Sequence, residues 1–350
     1  MTDNSTPTMA SDNTPLEHMA SDPKVSDSTD AQVSNADSMA EENLPTDKSP
    51  SVAGDLSMED GHKCGYVALI GRPNVGKSTL LNALMGMKLS IVTNKPQTTR
   101  RRVLGILSTD DSQMILLDTP GIIKPRYGLQ EAMMKDVSTS TGDADILVFL
   151  ADATRDSVDE MTMKYMGGKP AILVLNKIDK VRQEEVLPLV TRYMDAHPFD
   201  EVIPISALKG KNLEAVITSI KKRLPFSPPY YPKEMVSEQP ERFFVAEIIR
   251  EKIFKHFQQE VPYSTQVNIV DWQEREDEKD LINAEIVVER DSQKGILIGK
   301  GGLALKKVGT HAREDIEEFI GRGVFLKLHV KVRNDWRNSD VQLRSFGFSR

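Results

Sequence analysis

Tyr66-Val-Ala-Leu-Ile-Gly-Arg-Pro-Asn-Val-Gly-Lys-Ser-Thr-Leu-Leu81 runs from an apolar, strand-like pentad into a glycine-bearing turn and out into a helical pattern. Its central octad, Gly71-Arg-Pro-Asn-Val-Gly-Lys-Ser78, fits G-x-x-x-x-G-K-S/T. Backbone N–H groups of such a loop wrap phosphates, its lysine reaches the β- and γ-phosphates, and its hydroxyl ligates magnesium. The strand before and the helix after are the context the motif needs. Gly71, Arg72, Pro73, Asn74, Val75, Gly76, Lys77, Ser78 and Thr79 are therefore the candidate phosphate-binding set, with Lys77 the catalytic cation and Ser78 a magnesium ligand.

Outward from this loop, short apolar runs at 66–70, 103–107, 114–117, 146–150, 171–175 and 202–205 alternate with helical patterns. That alternation predicts an α/β P-loop domain over 63–224 with helices on both faces of its sheet. One pair breaks it: 103–107 and 114–117 are separated only by a polar turn at 108–113, which reads as a hairpin. The sheet is expected to be mixed.

Three further motifs lie at the ends of these runs. Asp118-Thr119-Pro120-Gly121 follows the third, where an acid can hold magnesium and the Gly121 amide can meet a γ-phosphate. Asn176-Lys177-Ile178-Asp179 follows the fifth and decides the base. The Asp179 carboxylate can accept from N1–H and the exocyclic amine of guanine, whereas adenine would leave it unpaired, so GTP is favoured over ATP. Ser206-Ala207-Leu208, after the sixth run, supplies backbone amides to the guanine oxygen. Thr98 and Thr99 stand between the phosphate loop and the hairpin, where a threonine can ligate magnesium only with the γ-phosphate present. Thr99 is favoured over Thr98, as metal ligand and catalytic residue.

Pro225, Pro228, Pro229 and Pro232 make 225–240 a semi-rigid linker, with Tyr230 and Tyr231 placed to pack it against a domain. Beyond it, 241–350 reads as helix (242–257), two strands (265–272 and 281–289), glycine-rich turn, long helix (303–320) and strand (324–332). Ile298-Gly299-Lys300-Gly301-Gly302 opens the long helix and fits the G-x-x-G loop of KH domains, which clamps a single-stranded nucleic-acid backbone. Lys306 and Lys307 follow it. Residues 290–350 hold 13 basic and seven acidic side chains, a local charge of +6. The element order is that of a type II KH fold.

The 350 residues carry a net charge of −7, but 13 acidic and three basic side chains fall within 1–63, leaving the remainder at +3. The acidic average therefore says nothing against nucleic-acid binding by the folded part. Residues 1–62 lack aromatics and are rich in Ser, Thr, Asp and Pro, the composition of a disordered tail. One cysteine, Cys64, excludes a disulfide framework and a cysteine-rich zinc site, and suits a reducing compartment. No apolar run approaches the roughly 20 residues of a membrane span, and the acidic start argues against an organellar transit peptide. The expectation is a cytoplasmic monomer, with peripheral attachment to the inner face of the cell membrane left open.

Taken in order, the four nucleotide motifs resemble the TrmE–Era group of translation-factor-class GTPases. A single KH domain behind them resembles the Era family, as do Arg242-Phe-Phe-Val-Ala-Glu-Ile-Ile-Arg-Glu-Lys-Ile-Phe254 and Val330-Lys-Val-Arg-Asn-Asp-Trp336. The resemblance covers about four-fifths of the chain and leaves the acidic tail unexplained. It implies a potassium ion beside Asn74, and slow intrinsic hydrolysis, because Ile122 stands where other classes place a water-orienting glutamine. It further implies a ribosome assembly factor whose KH domain binds the 3′ end of 16S rRNA in the small (30S) subunit under GTP control. Two alternatives remain: a membrane-associated regulatory GTPase, and a nucleotide-sensing RNA-binding scaffold with negligible turnover.

Overall fold

The computed structural model describes residues 61–276 and 278–349. The expected tail at 1–62 falls, but for its last two residues, outside them.

Strands β1 (Lys63–Ile70), β2 (Val103–Ser108), β3 (Ser112–Asp118), β4 (Ile146–Asp152), β5 (Ala171–Asn176) and β6 (Glu201–Pro204) form a sheet ordered β2-β3-β1-β4-β5-β6. All neighbours are parallel except β2 and β3, the expected hairpin. β3, β4 and β5 are buried along their whole length, which is why they read as unbroken apolar runs rather than alternations. Helices α1 (Lys77–Met85), α2 (Gly128–Asp143), α3 (Glu160–Met163), α4 (Gln183–Ala196) and α5 (Leu213–Arg223) complete the domain. Met133 and Val137 of α2 and Leu189 of α4 pack with Leu117 and Phe149 on one face. Leu80 and Leu81 of α1 and Ile220 of α5 pack with Leu69 and Val148 on the other. Every nucleotide motif thus sits at the carboxyl edge of the parallel strands, where open α/β sheets bind ligands.

The Pro-rich stretch is docked rather than free. Pro225 O accepts from Cys64 N at 3.1 Å, Val236 O accepts from Ile106 N at 2.9 Å, and Gln113 Oε1 accepts from the Tyr230 and Tyr231 amides at 2.8 and 2.9 Å. It covers the open β2 edge, whose free N–H groups would otherwise invite another strand.

The second domain comprises α6 (Glu241–His256), β7 (Gln266–Gln273), β8 (Asp280–Val288), α7 (Asp291–Ile298), α8 (Leu303–Ile320), β9 (Val324–Val332) and α9 (Asp340–Ser345). Its sheet is ordered β7-β8-β9, with β7 antiparallel and β9 parallel to β8. α6 and α8 cover one face through Ile249, Ile253, Val308 and Ile316. Two elements depart from the sequence reading. Where a turn was expected before Gly299, the chain forms α7, so the GKGG loop joins two helices rather than a strand and a helix. With eight residues and an internal Gly295, α7 has too little apolar period to show. α9 is shorter still, yet its Leu343, with Trp336, Phe346 and Phe348, joins the core of the first domain.

Candidate functional site

The first site lies at the carboxyl ends of β1, β3 and β5. Gly76 sits at φ 107°, and a Cβ there would fall 2.2 Å from Asn176 Nδ2, so the loop closes this tightly only with glycine. Lys77, 5% exposed, donates from Nζ to Gly71 O at 2.9 Å and Arg72 O at 3.0 Å. Burial pulls its ammonium down to about 8, against the upward pull of Asp118 and Asp159. Beside it, Ser78 Oγ lies 2.7 Å from Asp118 Oδ2 and 2.8 Å from Thr99 Oγ1. Burial pushes the Asp118 carboxyl up, and its Oδ1 has no partner among the described residues. Three oxygen-bearing side chains with an orphaned buried carboxylate oxygen are the donor set of a hard divalent cation. Thr98 is not part of it: its hydroxyl pairs with Thr93 Oγ1 and Lys95 O, both at 2.7 Å.

The base end is held by Asn176, which donates to Val75 O at 2.8 Å and accepts from Ala207 N at 2.9 Å, tying the phosphate loop to the 206–208 loop. Ser206 Oγ donates to Asp179 Oδ1 at 2.6 Å and fixes the carboxylate's direction. Lys177, at φ 69°, reaches over to Asn74 O and Asp152 Oδ2, both at 2.6 Å. Pro73, Gly76, Lys77, Ser78, Thr79, Thr99, Gly121, Asn176, Asp179 and Leu208 line one cavity of about 310 Å³. Two predicted site side chains are engaged elsewhere. Arg72 pairs with Asp159 at 2.8 Å, and the Thr119 hydroxyl donates to Leu69 O at 2.7 Å, so backbone alone places these residues at the loop. Asn74 Nδ2 donates to Asn94 O at 2.9 Å. Ile122 is buried in the core.

The second site is the groove between α8 and β9, about 330 Å³, lined by Gly302, Leu305, Lys306, Arg313, Phe325 and Leu328 among others. Gly299 ends α7 at φ 72° and Gly302 starts α8 at φ 78°, so Lys300 and Gly301 protrude between the helix ends. Ile298 is partly buried under the loop. Lys306 faces the groove, but Lys307 does not line it; its charge bears on His256 of α6 instead. Sequence reading missed Leu305, Arg313 and Phe325. The first two share a helical face with Lys306, a period that was visible, whereas Phe325 belongs only by strand position.

The nucleotide site's flanking loop is tied to the second domain, though not to the groove itself. Arg100, next to Thr99, donates to Thr265 O at 2.6 Å, Pro262 O at 2.9 Å and Tyr263 O at 3.0 Å, and Arg250 of α6 donates to Thr98 O. Lys95 reaches the Phe254 and Phe257 carbonyls. At α2, the Leu129 amide donates to Arg337 O at 2.7 Å and the Gly128 amide to Asn338 Oδ1 at 3.0 Å. None of these partners is closer than about 150 residues in sequence, so no local pattern could reveal them.

Fold, phosphate loop and KH loop define a P-loop GTPase joined to an RNA-binding-type KH module. Residues 66–177 match the family model described as 50S ribosome-binding GTPase, and 260–337 match that of the KH domain. A chloroplastic GTPase ERA1 of Zea mays is 47% identical over 294 residues, spanning 82% of this chain and 71% of the relative. An Arabidopsis thaliana chloroplastic ERA-like GTPase is 46% identical over 319 residues, spanning 87% and 75%. Two solved structures superpose with TM-score 0.79 at 42% identity, each covered in full: a point variant of Aquifex aeolicus Era bound to GDP and aluminium fluoride, and Era in complex with MgGDPNP and nucleotides 1506–1542 of 16S ribosomal RNA, over 82% and 83% of this chain. The chain belongs to the Era family of GTPases. Among the described residues, no helix is long and apolar enough to cross a membrane.

Proposed function

We propose that this GTPase is a small-subunit assembly factor whose KH domain binds the 3′ end of 16S rRNA and whose grip on that RNA depends on the bound nucleotide. The observation that carries the reading is the contact chain Ser78–Thr99–Arg100, which ends on the carbonyls of Pro262, Tyr263 and Thr265 just before β7. A γ-phosphate that fixes Thr99 also fixes Arg100, and through it the edge of the RNA-binding domain. The relative solved with both a GTP analogue and a 16S fragment supports the pairing of ligands.

In the chemical step, Lys77 neutralises charge developing on the β- and γ-phosphates and the loop amides hold them in place. Ser78, Thr99 and Asp118 are the residues that would hold magnesium, which would supply Lewis-acid stabilisation there. Asp179 reads guanine. Asn74 is proposed as the potassium contact, tested by turnover in potassium against sodium. Ile122 cannot orient water, so turnover is slow without a further group. On the RNA side, Gly299–Gly302 amides and Lys300 meet the backbone while Leu305 and Phe325 offer apolar surface to bases. The compartment is the one that houses such a ribosome: the cytoplasm by composition, or the chloroplast in which the plant relatives are named.

The test is anisotropy of a labelled single-stranded oligonucleotide from the 16S 3′ end, at fixed salt because phosphate contacts make affinity salt-dependent. Tight, selective binding with a non-hydrolysable GTP analogue and weaker binding with GDP is expected. Equal, weak binding in both states overturns the reading, and binding to anionic vesicles instead favours the membrane alternative.

A further inference from the structure

Beneath the wired junction, where the 98–101 loop meets α6, β7 and the C-terminal segment, lies a separate cavity of about 210 Å³. Four arginines line it: Arg100, Arg101, Arg242 and Arg250, with Glu247 the one acid. Arg100 and Arg250 are 2% and 1% exposed. Two buried cations with one carboxylate between them leave net charge in a low-dielectric place, which is costly unless a counter-ion comes.

The partners of these groups show where the deficit lies. Arg250 spends Nε and Nη2 on Glu247 and on Thr98 O, and Arg100 spends both terminal nitrogens on backbone carbonyls. Arg100 Nε and Arg250 Nη1 stay buried with no partner among the described residues. Both guanidinium carbons stand over the Phe254 ring, at 5.7 and 5.3 Å, so packing holds the two cations together. Burial first, and Arg250 next, push the Arg100 guanidinium down to about 9. The nearby Arg337 adds a further cation, though Glu289 pairs with it. Arg101 lies over Phe243 at 5.5 Å, and Glu247, the acid of the lining, is taken by Arg250. Phe346 and Phe348 form an apolar wall.

We propose that this cavity is a binding site for a small phosphate-bearing anion, distinct from the nucleotide pocket and from the KH groove. Guanidinium forks match phosphate oxygens, and Asn268, whose Oδ1 accepts from Gln266 Nε2 at 3.3 Å, brings its amide to the lining. Occupation offsets the charge of Arg100 and Arg250 and tightens the hold of Arg100 on the 262–265 carbonyls and of Arg250 on Thr98 O. By linkage, the anion and the GTP analogue then strengthen each other's binding.

The test uses the full chain saturated with GDP and magnesium, so that the phosphate loop is filled. Inorganic phosphate is titrated in at ionic strength held constant with potassium chloride, and thermal unfolding is followed. A saturable rise of about 2–4 °C is expected, abolished in the Arg101→Gln/Arg242→Gln variant, whose intact fold is read from unchanged GDP affinity. The same rise in that variant, or none in the parent, overturns the proposal. So does a rise lost in Lys300→Gln/Lys306→Gln, which would place the phosphate on the KH loop. The source is read in a second arm: if the double arginine variant and added phosphate both weaken oligonucleotide binding, the anion is an RNA phosphate. If oligonucleotide affinity is unchanged, it is free in solution.

Discussion

Two glycine-bearing loops in this chain, 71–78 and 299–302, stand at helix N-termini, a setting in which backbone amides can meet phosphate, yet they are built oppositely. The first is enclosed. Lys77 is buried, Asn176 braces Val75, and Asn176 Nδ2 leaves no room for a Cβ on Gly76. The second is open: Lys300 and Gly301 are exposed, and a Cβ on Gly301 would meet nothing within 4 Å. An enclosed loop spends side-chain charge on one ligand of fixed shape. An open one leaves phosphates to slide past and lets neighbouring surface choose the bases. Loss of a single group should therefore be severe in the first and graded in the second.

The sharpest break is Lys77→Ala, which removes the cation buried at the phosphate loop. Single-turnover GTP hydrolysis should fall about 10²–10³-fold, while RNA affinity without nucleotide stays unchanged. A loss below tenfold would mean that backbone amides alone carry the charge. Next comes Asp179→Ala. A charge-assisted hydrogen bond left unmade costs about 1.5–3 kcal/mol, so GDP should bind roughly 10- to 150-fold more weakly while ADP is little affected. Calorimetry with both nucleotides checks it, and an equal loss for ADP would make Asp179 a structural brace for Ser206.

At the open loop, Gly301→Asp puts an anion in the path of the backbone at φ 60°, a conformation aspartate tolerates. One added repulsion in a solvated site is worth about 1 kcal/mol, so oligonucleotide affinity should drop about 5- to 10-fold, with GTP turnover intact. A lost turnover would show that the two loops are not separable. Undiminished affinity would move the RNA to another face of the KH domain.

This contrast also explains what could be read in the sequence. The nucleotide motifs were legible because each is one contiguous run at a strand end, where a single turn sets the geometry; between Thr98 and Thr99, only the structure shows which hydroxyl lies beside Ser78. The groove was half legible. GKGG and Lys306 lie on one helix start, but Phe325 reaches the groove from a strand whose alternation only says that it faces outward. Arg100, Arg250 and Arg337 were not legible as a group, since the carbonyls that Arg100 meets, the Thr98 carbonyl that Arg250 meets and the Tyr127 ring under Arg337 each lie in the domain opposite. Arg72 and Thr119 show the converse limit: inside a strong motif, a side chain can serve a neighbouring strand or acid instead of the ligand.

The finest test of the enclosed loop is a proton count. Burial holds Lys77 at about 8 in the nucleotide-free site, below its ordinary value of 10.5. A folded-state value below the unfolded one means that the unfolded chain binds more protons across pH 8–10.5, so the nucleotide-free protein should gain stability as pH rises through that window. Bound phosphates supply the missing counter-charge and raise the ammonium's pKa. GDP binding at pH 8 should then take up about half a proton, and almost none at pH 6.5, where Lys77 is already charged. Calorimetry in two buffers of different ionisation enthalpy measures the uptake, and it should vanish in Lys77→Ala. The open loop has no buried titrating group, so oligonucleotide binding at the same pH should show no such uptake. Proton uptake on RNA binding instead would mean that the exposed lysines of the groove are as desolvated as Lys77, and the contrast between the two loops would fail.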